Sequence, residues 1–319
     1  MRNVTLVVSL LVIVLSAYAD DKKEVSNAMQ WQYKDGSFIN TTMAENLSPD
    51  DFYKYCVKLD KDGLYDDAAS AFTLLLNNTT DSRLKELAHF GEANSLYNVG
   101  DYYGAYDEFD SFLVKFRQSP KVKDAIRRQM DCGVNLAEKG YKESLLGLAL
   151  WKSSKTGIEK LKSTLERYPY EDFSGKYYMW LADFYYKKDE VDSAALEYQF
   201  IADNYSTGGV APEAIFKLGI CNLRRFNRAD YDTKFLTDAK KNFKRLIDSF
   251  PYHSLTDKAK DIVKDINERL AEKEFVIAEF YVRKGKNTSA MFYLRSLLAN
   301  YKDTTWAEKA GGLLGELEK

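Results

Sequence analysis

Histidine is almost missing from this chain of 319 residues: there are two, His89 and His253, far apart in sequence. The three cysteines, Cys56, Cys132 and Cys221, are just as dispersed, and none forms a CxxC pair or a Cys/His cluster. Metal centres draw on clustered imidazole, thiolate and carboxylate ligands, so no metal and no other cofactor is expected. A glycine-rich phosphate loop, an HExxH and a GxSxG are all absent. Acid pairs such as Asp66-Asp67 read as helix-start residues, no catalytic residue is assigned, and the chain is not expected to be an enzyme. The widely spaced cysteines read as small apolar residues on buried helix faces rather than as a disulfide framework. A formal net charge of −2 lacks the basic footprint of a nucleic-acid partner. Five prolines leave room for long helices.

Long hydrophobic runs are equally scarce. The one at the N-terminus, Val4 to Leu15, follows Arg2 and precedes the small-x-small triplet Ala17-Tyr18-Ala19. That is the pattern of a secretory signal over 1–19, with Asp20 as the first mature residue. No other stretch is long and apolar enough to cross a bilayer, so the mature protein is expected to be exported and soluble. Residues 20–48 are polar and poorly periodic and are expected to be a flexible leader, with a short anchoring element at Met29 to Tyr33. Ser48-Pro49-Asp50-Asp51 is a helix start: a cap residue, proline at the first position, acids in the first turn.

What the chain does have is a recurring hairpin grammar. Asn267 to Ala310 reads as a helix, a turn at Lys284-Gly285-Lys286, a return helix and the start of a third. Ala278 and Tyr281 lie on one face of the leading helix, and Ala290 and Leu294 carry the return helix. Small residues that let two helices approach, set against large ones that fill the groove, are the tetratricopeptide (TPR) pattern of about 34 residues. Related signatures occur upstream at Gly63 with Ala68 and Phe72, and at Gly100 with Ala105 and Phe109. A degenerate one lies at Gly157 and Leu161. Two more are Asp189 to Val191 with Ala194 and Tyr198, and Leu218-Gly219 with Ala239 and Phe243. The expected fold class is all-α, a TPR-type helical-hairpin solenoid with inserted loops and a C-terminal capping helix over Thr304 to Leu317. Lys121 to Leu136 reads as an added helix, Gly147 to Trp151 as an apolar stretch entering a loop, and Leu255 to Tyr281 as one long helix. Arg224 to Thr237 reads as a loop, and insertions of this kind often serve binding.

Aromatic residues make up 14% of the chain, 23 of them tyrosine. Most fall at core positions of the repeats. Those on leading-helix faces turned away from the hairpin partner are the candidates for holding a peptide: Phe90, Asn94 and Tyr97 in the second repeat, Met179, Asp183 and Tyr186 in the fourth, and Phe216, Leu223 and Arg224 in the fifth.

Arg269-Leu270-Ala271, Glu274, Ala278, Tyr281, Arg283 and Gly285, followed by Asp303-Thr304-Thr305-Trp306-Ala307, resemble the BamD-type outer-membrane assembly components. The resemblance reaches back through Tyr231-Asp232, Ala239, Phe243 and Phe250-Pro251, and more loosely to about Leu145. It divides the chain into N-terminal TPR-like repeats at 49–137 and BamD-like repeats at 138–319. It implies a non-catalytic periplasmic adaptor, peripheral at the outer membrane, that docks on a barrel-inserting protein and helps receive unfolded outer-membrane chains. Two departures accompany it. The family usually carries a lipidated cysteine after its signal, where this chain has Ala19-Asp20, so membrane association would be indirect. The family often places an Asn-Arg pair on the last return helix toward the barrel protein, where this chain has Phe292-Tyr293 with Arg295 beyond. The family's contact cannot be carried over at that point, and Tyr293 and Arg295 are kept as candidate protein-binding residues. The other reading left open is an exported TPR scaffold for cell-envelope or cell-division complexes.

Overall fold

The computed structural model describes residues 31–34, 37–40, 47–139, 141–145, 148–152, 154–205, 209–226 and 233–319, the strand segments by their backbone. The expected signal segment and residues 227–232 of the Arg224–Thr237 loop lie outside these. Ser48 starts the first helix as its neighbours demand: its hydroxyl accepts from the Asp51 amide at 3.2 Å, with Pro49 at the first position and Asp50 and Asp51 in the first turn. That helix, α1 (Pro49–Lys61), pairs with α2 (Tyr65–Asn78). The series continues as α3 (Ser82–Val99) with α4 (Tyr102–Lys115), α5 (Val122–Lys139) with α6 (Ser154–Arg167), and α7 (Ser174–Lys187) with α8 (Val191–Asn204). It ends as α9 (Ala211–Phe226) with α10 (Thr233–Ser249), α11 (Thr256–Arg283) with α12 (Asn287–Asn300), and α13 (Thr305–Leu317). The architecture is the expected all-α solenoid of helix hairpins.

The turns are built alike. Gly63, Gly100 and Gly285 sit at φ of 79°, 96° and 68°, the left-handed conformation that closes a helix and that glycine adopts without a Cβ penalty. Asp189 holds the same place in the fourth hairpin at φ 67°. In each, the next residue's amide reaches back to the leading helix, as from Lys286 to the Tyr281 carbonyl at 2.9 Å and from Glu190 to that of Tyr185 at 3.0 Å. Past each of these turns a small residue is fully buried: Ala68, Ala105, Ala194 and Ala290 are all 0% exposed, as is Ala239 on α10. The turns between hairpins also repeat, with Ser174 Oγ donating to the Tyr168 carbonyl at 2.8 Å and Thr256 Oγ1 to that of Phe250 at 2.7 Å.

Two expectations are corrected. Lys121 to Leu136 is not an added helix: it forms most of α5, the leading helix of the third hairpin. That repeat looked degenerate because glycine stands at both contact positions, where a Cβ on Gly157 would overlap the Ala137 backbone and one on Gly133 would meet Leu161 at 2.8 Å. The second correction is the presence of two antiparallel strand pairs outside the hairpins, β1 (Trp31–Lys34) with β2 (Ser37–Asn40) and β3 (Tyr141–Leu145) with β4 (Leu148–Lys152). The first overlaps the short anchoring element expected within the flexible leader, and the second takes in most of the apolar stretch expected to enter a loop. The register pairs Lys34 with Ser37 and Leu145 with Leu148, so two residues join each pair. Asp35-Gly36 is a favoured hairpin dipeptide, and the sequence reading passed over it.

Contacts divide the chain into two units, Met1–Ala88 and His89–Lys319. In the first, Phe52, Cys56, Ala68, Phe72 and Leu75 form a core. In the second, successive apolar clusters follow the hairpins to α13, whose Ala307 and Ala310 are buried while Glu308, Lys309 and Glu316 face solvent. That polar-backed end is the expected cap. All three cysteines are 0% exposed, and burial pushes the Cys56 and Cys221 thiols up to about 12. Return helices are tied to one another by ion pairs: Lys160 to Asp107 at 2.7 Å, Lys162 to Glu197 at 3.7 Å, and Arg245 to Asp203 at 2.8 Å.

His89 is buried on α3, its Nε2 2.8 Å from the Glu108 carboxylate and its ring edge-on to Phe112 and Phe116. The hydrogen bond to His89 holds the Glu108 carboxyl below its ordinary value of 4.5. A carboxylate depressed in the folded state contributes stability that is complete above the ordinary value and lost as pH falls through the lowered one. The urea midpoint of the native chain should therefore exceed that of Glu108→Gln near neutrality. The gap should close as pH falls below the ordinary carboxyl value of 4.5 and through the lowered one. A gap that stays constant would remove the pair from the acid response.

Candidate protein-binding surface

Of the proposed groove residues on leading helices, Tyr97, Asp183, Tyr186 and Arg224 lie at seams between successive leading helices, whereas Phe90 packs on its own hairpin partner rather than away from it. On α3, the Phe90 ring meets Phe109 and Phe112 at 5.8 and 5.5 Å and is capped by Lys121 Nζ at 4.6 Å. Tyr97 packs on Tyr102 at 5.4 Å, Arg128 of α5 lies 4.6 Å over its ring, and Asn135 donates to its hydroxyl at 3.4 Å. Asn94 is half-buried between them in sequence.

The fourth and fifth repeats show the same seam. Asp183 of α7 accepts two bonds from Lys217 of α9, at 2.8 and 2.9 Å, and one from the Tyr198 hydroxyl. Tyr186 of α7 lies under the Arg224 guanidinium at 4.9 Å, and Arg224 pairs with Asp189 at 2.5 Å. Leu223 is half-buried against the cluster around α9, α10 and α11. Met179 and Phe216 are both 7% exposed and belong to the core, which corrects their placement on a ligand face. The physical reason is lateral packing. Residues at i, i+4 and i+7 on a leading helix share one face, and on α7 that face is closed by α9.

The last hairpin differs. Tyr281 of α11 stacks on Tyr293 of α12 with ring centroids 5.6 Å apart and planes at 12°. Phe280 meets Tyr281 edge-on at 5.6 Å, and Phe292 meets Tyr293 edge-on at 5.6 Å. Four rings thus run across the hairpin next to the Gly285 turn. The outer two are open to solvent, Phe280 47% and Phe292 68% exposed, and Val276, one helical turn before Phe280, is 49% exposed. Arg295 is exposed and held by Glu318 at 2.8 Å. Exposed apolar groups that adjoin one another mark interaction sites more often than scattered ones do. Offset and edge-on ring contacts give the outer phenylalanines a fixed backing. Sequence reasoning reached Tyr293 and Arg295 but missed Phe280; its signal was the pairing of Val276 with Phe280 four residues apart, off the Phe275–Ala278 core face. Among the described residues no group of three or more His, Cys, Asp or Glu could hold a metal ion, and no helix is long and apolar enough to cross a membrane.

A protein family described as an outer membrane lipoprotein, YfiO, matches residues 139–316, from the end of α5 almost to the chain's end. The chain belongs to this family. A relative, the outer membrane protein assembly factor BamD of Vibrio cholerae, is 26% identical over 165 residues, covering 49% of this chain and 68% of that protein. Solved structures similar to it include part of a TPR protein from Cytophaga hutchinsonii, at 12% identity and a TM-score of 0.36, covering 81% of this chain and 98% of that one. Another is a TPR protein from Parabacteroides merdae, at 11% identity and a TM-score of 0.37, covering 85% and 99%. The aromatic surface on α11 and α12 lies inside the family-matched region.

Proposed function

We propose that this chain is a non-catalytic adaptor in outer-membrane protein assembly and that the aromatic surface of its last hairpin docks a barrel-inserting partner protein. The observation that carries this reading is the four-ring run ending in two solvent-exposed phenylalanines, within the region that matches the family. A relative whose name states outer-membrane protein assembly supports the process. Phe292-Tyr293 stands where the family often has Asn-Arg, so the contact in this chain is apolar: the partner buries Phe280 and Phe292, and Arg295 lies at the polar rim. In this reading the protein is exported, periplasmic and held at the outer membrane through its partner. The BamD-like repeats at 138–319 supply the docking surface.

The test is photocrosslinking in the native host with the reactive side chain at position 292, followed by mass spectrometry. Capture of a barrel-assembly protein is the expected result. Capture confined to cell-wall or division proteins would replace this reading with an envelope scaffold, and no capture would remove the last hairpin as the docking surface.

A further inference from the structure

A second surface lies at the turn that follows α12. There α11 and residues 301–304 border a groove of about 320 Å³, at the small end of the roughly 300–1,000 Å³ of ordinary ligand sites. Three lysines line it, Lys260, Lys264 and Lys302. Lys260 is held by Asp257 at 2.9 Å, while Lys264 and Lys302 have no ion pair or hydrogen bond among the described residues. Tyr301 lines the groove too, and Lys240 of α10 lies 4.9 Å over its ring. Burial and the neighbouring Lys244 hold the Lys240 ammonium below its ordinary value, and neither lysine meets a carboxylate among the described residues. Elsewhere the half-buried cations Lys160, Lys217, Arg225 and Arg245 each meet a carboxylate at 2.6 to 2.8 Å. The groove also holds acceptors. Asp303 lines it without an ion pair among the described residues, and Asn267 lines it with its Oδ1 buried and lacking a donor. Glu268 is spent nearby, its two oxygens accepting from Thr305.

We propose that this groove binds a phosphate ester bearing hydroxyl groups, its phosphate held by Lys264 and Lys302 and its hydroxyls donating to Asp303 and Asn267. Cations gathered without a counter-ion on their own chain repel one another and draw an anion from outside. Lysine is a compact point charge that suits a tetrahedral phosphate, whereas a planar carboxylate is met best by the arginine fork. Arg225 and Arg245 serve the chain's own carboxylates in that way, and the described lining of this groove has no arginine. A bare anion would face Asp303 and leave Asn267 without a donor. A hydroxyl supplies the donor that both accept. Lys240 and Lys244 add to the positive potential, so the ligand is anionic overall. This chemistry occurs in a glycerophospholipid headgroup and in a soluble polyol phosphate. The site uses none of the aromatic-surface residues and does not depend on their role.

The experiment uses the full chain and two probes. Glycerol 3-phosphate is titrated by calorimetry, and phosphatidylcholine vesicles with and without phosphatidylglycerol are tested by co-sedimentation at physiological salt. Lys264→Glu/Lys302→Glu should weaken binding about tenfold or more, the scale of a charge-assisted hydrogen bond. Lys85→Glu/Lys176→Glu makes the same change of charge at two exposed lysines elsewhere and should leave binding nearly unchanged, as should Phe280→Ser/Phe292→Ser. Asn267→Leu removes the orphaned acceptor, so it should weaken glycerol 3-phosphate more than inorganic phosphate while the urea midpoint holds or rises. Urea midpoints show that each variant folds. Binding of the phosphatidylglycerol vesicles, with or without the soluble probe, assigns a lipid headgroup; binding of glycerol 3-phosphate alone assigns a soluble phosphate ester. Binding of neither probe would overturn the proposal. So would an equal loss in the two charge-reversed pairs, the mark of general attraction to an anionic surface.

Discussion

Gly157→Leu should cost about 3 kcal/mol or more, the upper end for forcing volume into a packed interface. A Cβ at this position would overlap the Ala137 amide nitrogen and stand 2.6 Å from the Leu136 carbonyl carbon. Those are backbone atoms of α5, which cannot turn aside as a flexible side chain can. The helices must separate, and the facing contact of Gly133 on Leu161 opens with them. Because each hairpin in a repeat array leans on its neighbours, the loss should spread to α4 and α7. Urea denaturation gives the size of the effect, and hydrogen exchange should locate lost protection in α5 and α6. Gly311→Ala is the contrasting case. A Cβ there meets nothing within 4 Å, so the better helix former should be neutral or add up to about 1 kcal/mol. Equal effects at the two sites would refute the close backbone approach at Gly157.

The double variant Phe280→Ser/Phe292→Ser should lose its partner while keeping its fold. Phe292 is mostly in solvent and Phe280 about half so, and neither is a core residue, so substitution should change stability by about 1 kcal/mol or less. Bound to a partner, each ring would transfer apolar area out of water, worth about 1.5–3 kcal/mol when burial is complete. Two partly buried rings together supply on the order of 3 kcal/mol, roughly a hundredfold in affinity. Co-purification from native membranes should therefore fall to background while the urea midpoint holds. Undiminished capture would show that the partner reads another surface.

The seam residues explain how far the binding face could be read in advance. Met179, Asp183 and Tyr186 do share one helical face, as their spacing requires. Their neighbour across that face is α9, whose Lys217 and Arg224 lie more than thirty residues on. Periodicity places a residue on a helix; it does not say which distant helix covers it. Phe292 shows the converse. It lies two residues from the buried Ala290 and Leu294 and so on the opposite face of α12, while α13 packs on the Leu294 face through Ala307 and Ala310.

Local physics was legible from residue types alone: the Ser48-Pro49 helix start, the turns at Gly63, Gly100 and Gly285, the small residue carried by each return helix, the long helix α11 and the capping helix α13. Each depends on backbone conformation or on contacts within one hairpin, so the information lies within a few dozen residues. The packing of α5 on α6 through glycine backbones, the closure of the leading-helix seams, the lysine-lined groove beside α11 and the exposure of Phe280 and Phe292 were decided by tertiary structure. Those depend on which hairpins stack on which, and burial is a property of the neighbour as much as of the residue.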